Sequence, residues 1–301
     1  MKPTPRQLVL YVVAVVLLAV LASAVEWGAL SATIASGDPA LLAGALLLSF
    51  LFPLLNTFRW QAVLLASGVR VPTRKLFSIT MACWPVGTLT PGKAGELLKG
   101  LVVPNRAVGL GSAIAERVVD VAVLGLYGTI FGLWWRHEWA VLGGLFGLGA
   151  ASGVLLFGGL LAKLLKGKKL GEKLEGFLLV FPRLVKRPRP LTACVLSSAL
   201  NWFLSMLQLA WLFAAFGADV DLSFVVAILP AATFAGLVPI TPAGAGTRDA
   251  ALLFLCSGVV SGPVILASSI VYTLFGYFLL GACGLPFLHH LKPMAEKRSQ
   301  S

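Results

Sequence analysis

The 301-residue chain is 58% hydrophobic and only 12% charged, with a mean hydropathy of +0.92 and a formal net charge of +12. Soluble domains carry roughly a quarter charged residues, so a water-soluble globular protein is excluded. Continuous apolar runs, rather than period-two alternation, exclude a transmembrane barrel and leave an all-α polytopic membrane protein.

The first run, about 8–26, follows Lys2 and Arg6 and ends near Ala22-Ser23-Ala24. It has the look of a cleavable signal peptide, but an uncleaved first span is the simpler reading, because the rest of the chain stays in the membrane. A second span covers 39–58. The region 76–103 is apolar but broken at Pro91 and Gly92, so it is too long for a loop and too interrupted for one helix. Full spans follow at 108–134 and 139–162. The basic linker 163–190 comes next, then a span at 191–216. A second interrupted region, 222–257, is broken at Pro239 and Pro242, and 259–287 is the sixth full span. Trp27, Trp134, Trp135 and Trp139 sit at span ends as an interfacial aromatic belt. The linker contains the amphipathic stretch GEKLEGFLLVFPRL; it reads either as a helix lying on the cytoplasmic surface against anionic lipid or as a solvated basic loop.

Charge fixes the orientation. Lys2, Arg6, Arg59, Arg70, Arg74, Lys75, Arg106, nine bases of the linker, Lys292, Lys297 and Arg298 fall on one side. The opposite connections carry Glu26, Asp38, Arg136, Glu138, Asp219 and Asp221. The excess of Lys and Arg marks the cytoplasmic side, so both termini are expected there, in a cell inner (cytoplasmic) membrane, and no nucleic-acid partner is implied. By this parity, 76–103 begins and ends on the cytoplasmic side and 222–257 outside. Each is therefore expected to be a re-entrant hairpin, entering from opposite faces. Residues 1–135 then form one membrane repeat, 136–287 an inverted second repeat and 288–301 a cytoplasmic tail, the plan of secondary transporters.

A charge at membrane depth costs about 2.5–3.5 kcal/mol on insertion scales, so each needs a reason. Lys93, Glu96, Lys99, Glu116, Arg117, Asp120, Arg248 and Asp249 fall at or near that depth. In TPGKAGELLKG, Pro91 and Gly92 end a descending segment, and Gly95-Glu96 is expected to begin an ascending half-helix. The free amides of that half-helix, with Lys93 and Lys99, would attract an anion. In AIAERVVDVAVL, Glu116 and Asp120 are four apart and share a helix face; Arg117 is three before Asp120. Glu96 is expected to pair with Lys93, Lys99 or Arg117. In TPAGAGTRDAALL, Gly244 and Gly246 are expected at a second half-helix start, followed by Arg248 and Asp249. Guanidinium groups suit phosphate oxygens, and a groove opening sideways into the bilayer suits a lipid phosphate. Two roles for the acids stay open: holding the arginines, or exchanging a proton. The cysteines and histidines show no ligand spacing, so no metal and no cofactor are expected.

NTFRWQAVLL (56–65), PGKAGELLKG (91–100), AIAERVVD (113–120) and VPITPAGAGTRDAALL (238–253), in this order, resemble the lysylphosphatidylglycerol synthase transmembrane-region family. The resemblance implies a lipid-translocating, flippase-like membrane domain and adds Asn56 and Arg59 to the substrate-binding residues. Lys93 stands where the family often has Arg, and Asp249 where it often has Glu. With no soluble synthase segment in these residues, attachment of lysine to lipid is not expected. The reading is therefore a flippase or transporter for an anionic lipid, of phospholipid or polyprenyl-phosphate type, and not an enzyme. A lipid-phosphate-modifying enzyme and a non-transporting subunit of a glycosyltransferase are the alternatives. The expected partner is an anionic membrane lipid; a homo-oligomer or a lipid-modifying enzyme partner stays open.

Overall fold

Backbone groups shielded from water must bond within their own segment, and in this chain they do so as helices. A computed structural model describes residues 27–165, 167, 169–238, 244 and 246–291; the expected first span, Pro239, Pro242 and the tail from 292 lie outside these. Every regular element among the described residues is helical. In chain order they are α1 (Trp27–Ala35), α2 (Pro39–Ser49), α3 (Leu51–Ala66) and α4 (Thr73–Leu89). A 3₁₀ segment (Pro91–Leu98) and the single turn α5 (Lys99–Val102) follow, then α6 (Arg106–Trp134), α7 (Glu138–Leu164), α8 (Lys169–Val185) and α9 (Pro188–Ala215). The chain continues through α10 (Leu222–Gly236), α11 (Thr247–Leu255), α12 (Gly262–Thr273), a π-helical turn (Leu274–Leu279), α13 (Leu280–Gly284) and a 3₁₀ segment (Leu285–Leu291).

Among the described residues, four stretches are long and apolar enough to cross a membrane: Pro39–Ala66, Glu138–Leu164, Pro188–Ala215 and Gly262–Leu291. The protein is a multi-pass, membrane-embedded helical protein, and Leu47, Phe146, Leu156 and Leu164 stand exposed on its apolar flank. α6 is as long, 29 residues, but carries Glu116, Arg117 and Asp120.

Short polar connections supply the caps. Asp38 accepts from the amides of Ala40 and Leu41, Asn105 from Val108, and Asp221 from Ser223, each satisfying orphan N–H groups at a helix start. Pro53 has no N–H to offer the carbonyl four residues back, and the helix breaks locally at Phe50 between α2 and α3. The second span therefore runs on to Ala66, eight residues past its expected end, and takes Arg59 inside a helix.

Two expectations about these elements need correction. First, the ascending half-helix at Gly95 is absent: residues 91–98 are 3₁₀, and only one α-turn, Lys99–Val102, follows. The Thr90 hydroxyl accepts the Gly95 N–H at 2.8 Å and itself donates to the Val86 carbonyl, so the amide that was to face a ligand is spent locally. Second, the linker is neither a lipid-facing surface helix nor a loop. Its apolar face, Phe177, Val180 and Leu184, is buried in a core shared with α6 and α9. Gly111 of α6 and Gly176 of α8 meet so closely that a Cβ on Gly111 would lie 2.0 Å from the Gly176 carbonyl oxygen. The last span, expected over 259–287, is present at Gly262–Leu291 and passes through a π turn, whose carbonyls at Gly276 and Tyr277 accept from Trp84 Nε1 (3.1 Å) and Thr88 Oγ1 (3.3 Å) of α4.

The second interrupted region folds back on itself, α10 against α11, and at Gly244 a Cβ would meet the Gly236 carbonyl oxygen at 2.7 Å. Gly244 and Gly246 hold φ of +70° and +91°, a region open to glycine and costly for other residues.

Candidate functional site

α6 brings the first group together, because its charged residues recur on one face and the neighbouring helices carry the complements. Asp120 is the hub. Its Oδ1 accepts from Arg59 Nη1 of α3 at 2.6 Å, from the Ser198 hydroxyl and from Trp202 Nε1 (3.2 Å) of α9; its Oδ2 accepts from Arg117 Nη1 at 3.3 Å. Arg117 also pairs with Glu96 of the 3₁₀ segment. One turn before Asp120, Glu116 pairs with Lys99 of α5 and lies 4.0 Å from Arg59 Nε. Arg59, Lys99, Glu116 and Asp120 are all buried. Lys99 rests 5.3 Å from the Trp60 ring. Arg59 Nη2 donates to Asn56 Oδ1 at 2.5 Å, and Asn56 Nδ2 donates to the Phe52 carbonyl and to Asn201 Oδ1.

Arg59, expected on a cytoplasmic connection by charge counting, is thus an internal cation. Its carbon stem and the helix run allow this only because two carboxylates meet it; one lone buried guanidinium would be far too costly.

The second group belongs to α11 and α12. Arg248, 2% exposed, donates from Nη2 to Thr273 Oγ1 and lies 3.4 Å from Asp249 Oδ1. Its guanidinium carbon lies 4.8 Å from the Tyr272 ring and 5.4 Å from that of Tyr277. Arg248 Nε and Nη1 are buried and meet no acceptor among the described residues. Asp249 accepts from the Ser269 hydroxyl and, at 2.9 Å, from the Gly246 N–H. The expected helix start after Gly246 is present, and its Gly246 N–H is taken by the helix's own carboxylate.

Lys93 joins the two groups. It takes φ +56°, a left-handed conformation uncommon outside glycine, and its Nζ sits 4.3 Å from the Tyr277 ring whose surroundings include Arg248. Three cavities meet at this residue. The first, about 60 Å³, is lined by Asn56, Glu96, Arg117, Asp120, Asn201 and Tyr272 among others. The second, about 370 Å³, shares Lys93, Glu96, Arg117, Asp120 and Trp202 with the first and is otherwise apolar, with Ile114, Val118, Val121 and Phe234. The third, about 10 Å³, lies between Lys93, Gly236, Gly244, Arg248 and Tyr277. A small polar chamber thus opens into a larger apolar one across a rim of charge.

Arg59, Lys93, Lys99, Arg117 and Arg248 face four acids, Glu96, Glu116, Asp120 and Asp249. Each of these acids has a basic partner, whereas Lys93 has no carboxylate partner among the described residues. One cation is left over. Such a basin accepts an anion whose charge is carried next to an apolar body.

The sequence-predicted residues Lys93, Glu96, Arg117, Asp120, Arg248 and Asp249 come together here, with Asn56 and Arg59 behind Asp120. Lys99 and Glu116 form an interior pair instead of a ligand-facing one, and Pro91 starts the 3₁₀ segment. Sequence reasoning missed Ser198, Asn201, Trp202, Ser205, Gln208, Tyr272, Thr273 and Tyr277. A signal for α9 existed: Ser198, Asn201, Ser205 and Gln208 recur at spacings of three and four within an apolar helix, which is one polar seam. The seam meets Asp120, Asn56, the Tyr272 hydroxyl (2.5 Å) and the Ala45 carbonyl (2.8 Å) in turn.

Two curated relatives share this chain's length scale. A UPF0104 membrane protein of Methanothermobacter thermautotrophicus is 24% identical over 318 residues, covering 92% of this chain and 93% of that protein. A second UPF0104 membrane protein, from Methanocaldococcus jannaschii, is 24% identical over 212 residues, covering 64% of this chain and 88% of that protein. The four motifs that hold the charge cluster lie within one family match spanning residues 7–284, so the chain belongs to the lysylphosphatidylglycerol synthase TM region family.

Proposed function

We propose that this protein moves an anionic lipid, of phospholipid or polyprenyl-phosphate type, across the cell inner membrane without converting it chemically. The phosphate rests at the rim formed by Lys93 and Arg117, the headgroup enters the polar chamber, and a tail occupies the apolar one. The observation that carries this reading is the surplus cation Lys93 at the mouth shared by a polar and an apolar cavity. An amphiphile with one negative charge matches all three features, and a free inorganic ion leaves the apolar cavity without a role. The strained backbone at Lys93 fits a residue held for binding rather than for folding.

In this reading the segments 76–103 and 222–257 are re-entrant hairpins of two inverted repeats, with both termini cytoplasmic. Their supporting feature is that residues from both, Lys93 and Arg248, line one small cavity beside Tyr277. Arg248 Nε and Nη1 are without a partner among the described residues, so a phosphate leaving Lys93 finds new donors beside the same Tyr277 ring. The acids act as holders of the cations: Asp120 takes four donors, three of them on Oδ1.

Proteoliposomes carrying a fluorescent short-chain phosphatidylglycerol test the proposal. Protein-dependent exposure of the label to a membrane-impermeant quencher, lost in Lys93→Gln, is the expected result. Exposure no faster than in empty vesicles, under ion gradients of either sign, refutes transport. Release of a chemically altered lipid instead reassigns the site to an enzyme.

A further inference from the structure

The third cavity has the makings of a site for a small inorganic anion. It measures about 10 Å³ and lies between Lys93, Gly236, Gly244, Arg248 and Tyr277. A space of that size admits about one water-sized occupant. Gly236 and Gly244 put bare backbone on one wall: a Cβ on Gly236 would come within 3.1 Å of Arg248 Cβ, and one on Gly244 within 2.7 Å of the Gly236 carbonyl oxygen.

The donors belong to Arg248. It is 2% exposed, and its contacts with Thr273 Oγ1 and Asp249 Oδ1 are both made through Nη2. Nε and Nη1 are buried and meet no acceptor among the described residues. Asp249 is committed elsewhere, to the Ser269 hydroxyl and the Gly246 N–H. A buried donor without an acceptor carries the full cost of the water it gave up, so these two call for an occupant of the cavity.

Charge decides what kind of occupant. Lys93 Nζ lies 4.3 Å from the Tyr277 ring, and the guanidinium carbon of Arg248 lies 5.4 Å from the same ring. Two cations thus share one aromatic ring. Lys93 has no carboxylate partner among the described residues, and Arg248 has one acid at 3.4 Å. A water accepts a hydrogen bond here but leaves the surplus charge in place; a monovalent anion answers both needs. Phosphate and sulfate carry four oxygens around a centre and exceed the space, whereas a single-atom anion does not.

We infer that the cavity between Lys93 and Arg248 binds one halide ion, held by Arg248 Nε and Nη1 and by the charge of Lys93. On the lipid reading of this site, the halide is what the lipid phosphate replaces: one negative charge leaves as another arrives. The phosphate then reaches the Arg248 donors only as the cavity widens and the halide departs, so lipid and halide compete.

The full-length protein in detergent tests this in chloride and in gluconate at equal ionic strength, gluconate being too large for the cavity. Without lipid, chloride is expected to raise the thermal midpoint above that in gluconate, because a ligand of the folded state stabilises it. Short-chain phosphatidylglycerol, titrated by calorimetry, is expected to bind several-fold more weakly in chloride than in gluconate. Arg248→Met is expected to lose the thermal response. In crystals grown in bromide, one anomalous peak is expected between Lys93 and Arg248. A thermal midpoint and lipid affinity that ignore chloride, with no bromide peak there, overturn the halide site and leave the lipid site standing. A halide response with no lipid binding in either salt keeps the halide site and overturns the lipid reading, and the exchange with it. A thermal response that persists in Arg248→Met overturns the assignment to this cavity; if that variant does not fold, the presence or absence of the bromide peak decides.

Discussion

The two charged groups are built differently although each buries an arginine, Arg59 in one and Arg248 in the other. Around Asp120, cation and carboxylate alternate: Lys99, Glu116, Arg59, Asp120, Arg117 and Glu96, drawn from α3, the 3₁₀ segment, α5 and α6. Around Arg248 there is one acid, Asp249, and part of its capacity is committed to capping α11. The first group is a clasp that fastens several elements to one another; its two buried atoms without a hydrogen bond among the described residues, Arg59 Nε and Glu116 Oε2, face each other at 4.0 Å. The second is an open hand, with two donors unused among the described residues. The lesson is that charge at membrane depth serves two ends, and the supply of counter-charge separates them: alternating cations and carboxylates position, and a cation with a single acid keeps donors for a ligand.

This contrast breaks first at its hub. Asp120→Asn leaves Arg59 buried without its nearest counter-charge, a loss of about 3–5 kcal/mol by analogy with broken buried pairs. Thermal unfolding in detergent, or the folded yield, is expected to fall more for this variant than for any of the other substitutions. Arg248→Met is expected to do the reverse: a stability cost of about 1–3 kcal/mol, from the lost Thr273 and Asp249 contacts, with lipid translocation abolished. Comparable effects of the two variants on both readouts would erase the distinction between clasp and hand.

A smaller effect sharpens the boundary between them. Tyr277 divides the polar chamber from the cavity at Arg248. Tyr277→Phe keeps the ring and is expected to hold translocation within about twofold of wild type, since removing a hydroxyl costs of order 1 kcal/mol or less. Tyr277→Ala removes the wall and is expected to raise the leak of the labelled lipid.

The smallest effect lies outside both groups. The Ser223 hydroxyl and amide, at 2.6 and 2.7 Å, hold Asp221 below the ordinary carboxylate range. A lowered native value contributes stability above the unfolded value, roughly 3.9, and loses it as pH falls through the native one. Asp221→Ala should therefore lower the thermal midpoint slightly at neutral pH, and the difference should shrink as pH falls through the lowered native value.

Much of the fold and of the site is legible in the sequence, for physical reasons. Apolar runs report helices because a bilayer allows little else, and Glu116, Arg117 and Asp120 read as one face because helical spacing is rigid. Arg59 was misplaced because charge counting assigns bases to loops, and only Asp120 and Glu116, distant in sequence, make its burial tolerable. The Asp249 cap was hidden for a similar reason: TRDAALL carries no sign of whether the carboxylate faces the ligand or its own helix start. Tyr272 and Tyr277 carry no charge, and a tyrosine in a span reads as an interfacial residue until its neighbours are known. The polar seam on α9 stands in the sequence at helical spacing and needed only to be counted.

The central claim is that Lys93 holds the lipid phosphate. Titration of a short-chain phosphatidate into the detergent-solubilised protein, followed by calorimetry, tests it most directly. Saturable binding in the wild type, weakened about tenfold or more in Lys93→Gln and kept in Lys93→Arg, is what a charge-assisted contact of about 1.5–3 kcal/mol requires. Equal affinity of wild type and Lys93→Gln would contradict the account and return the cation to a purely structural role.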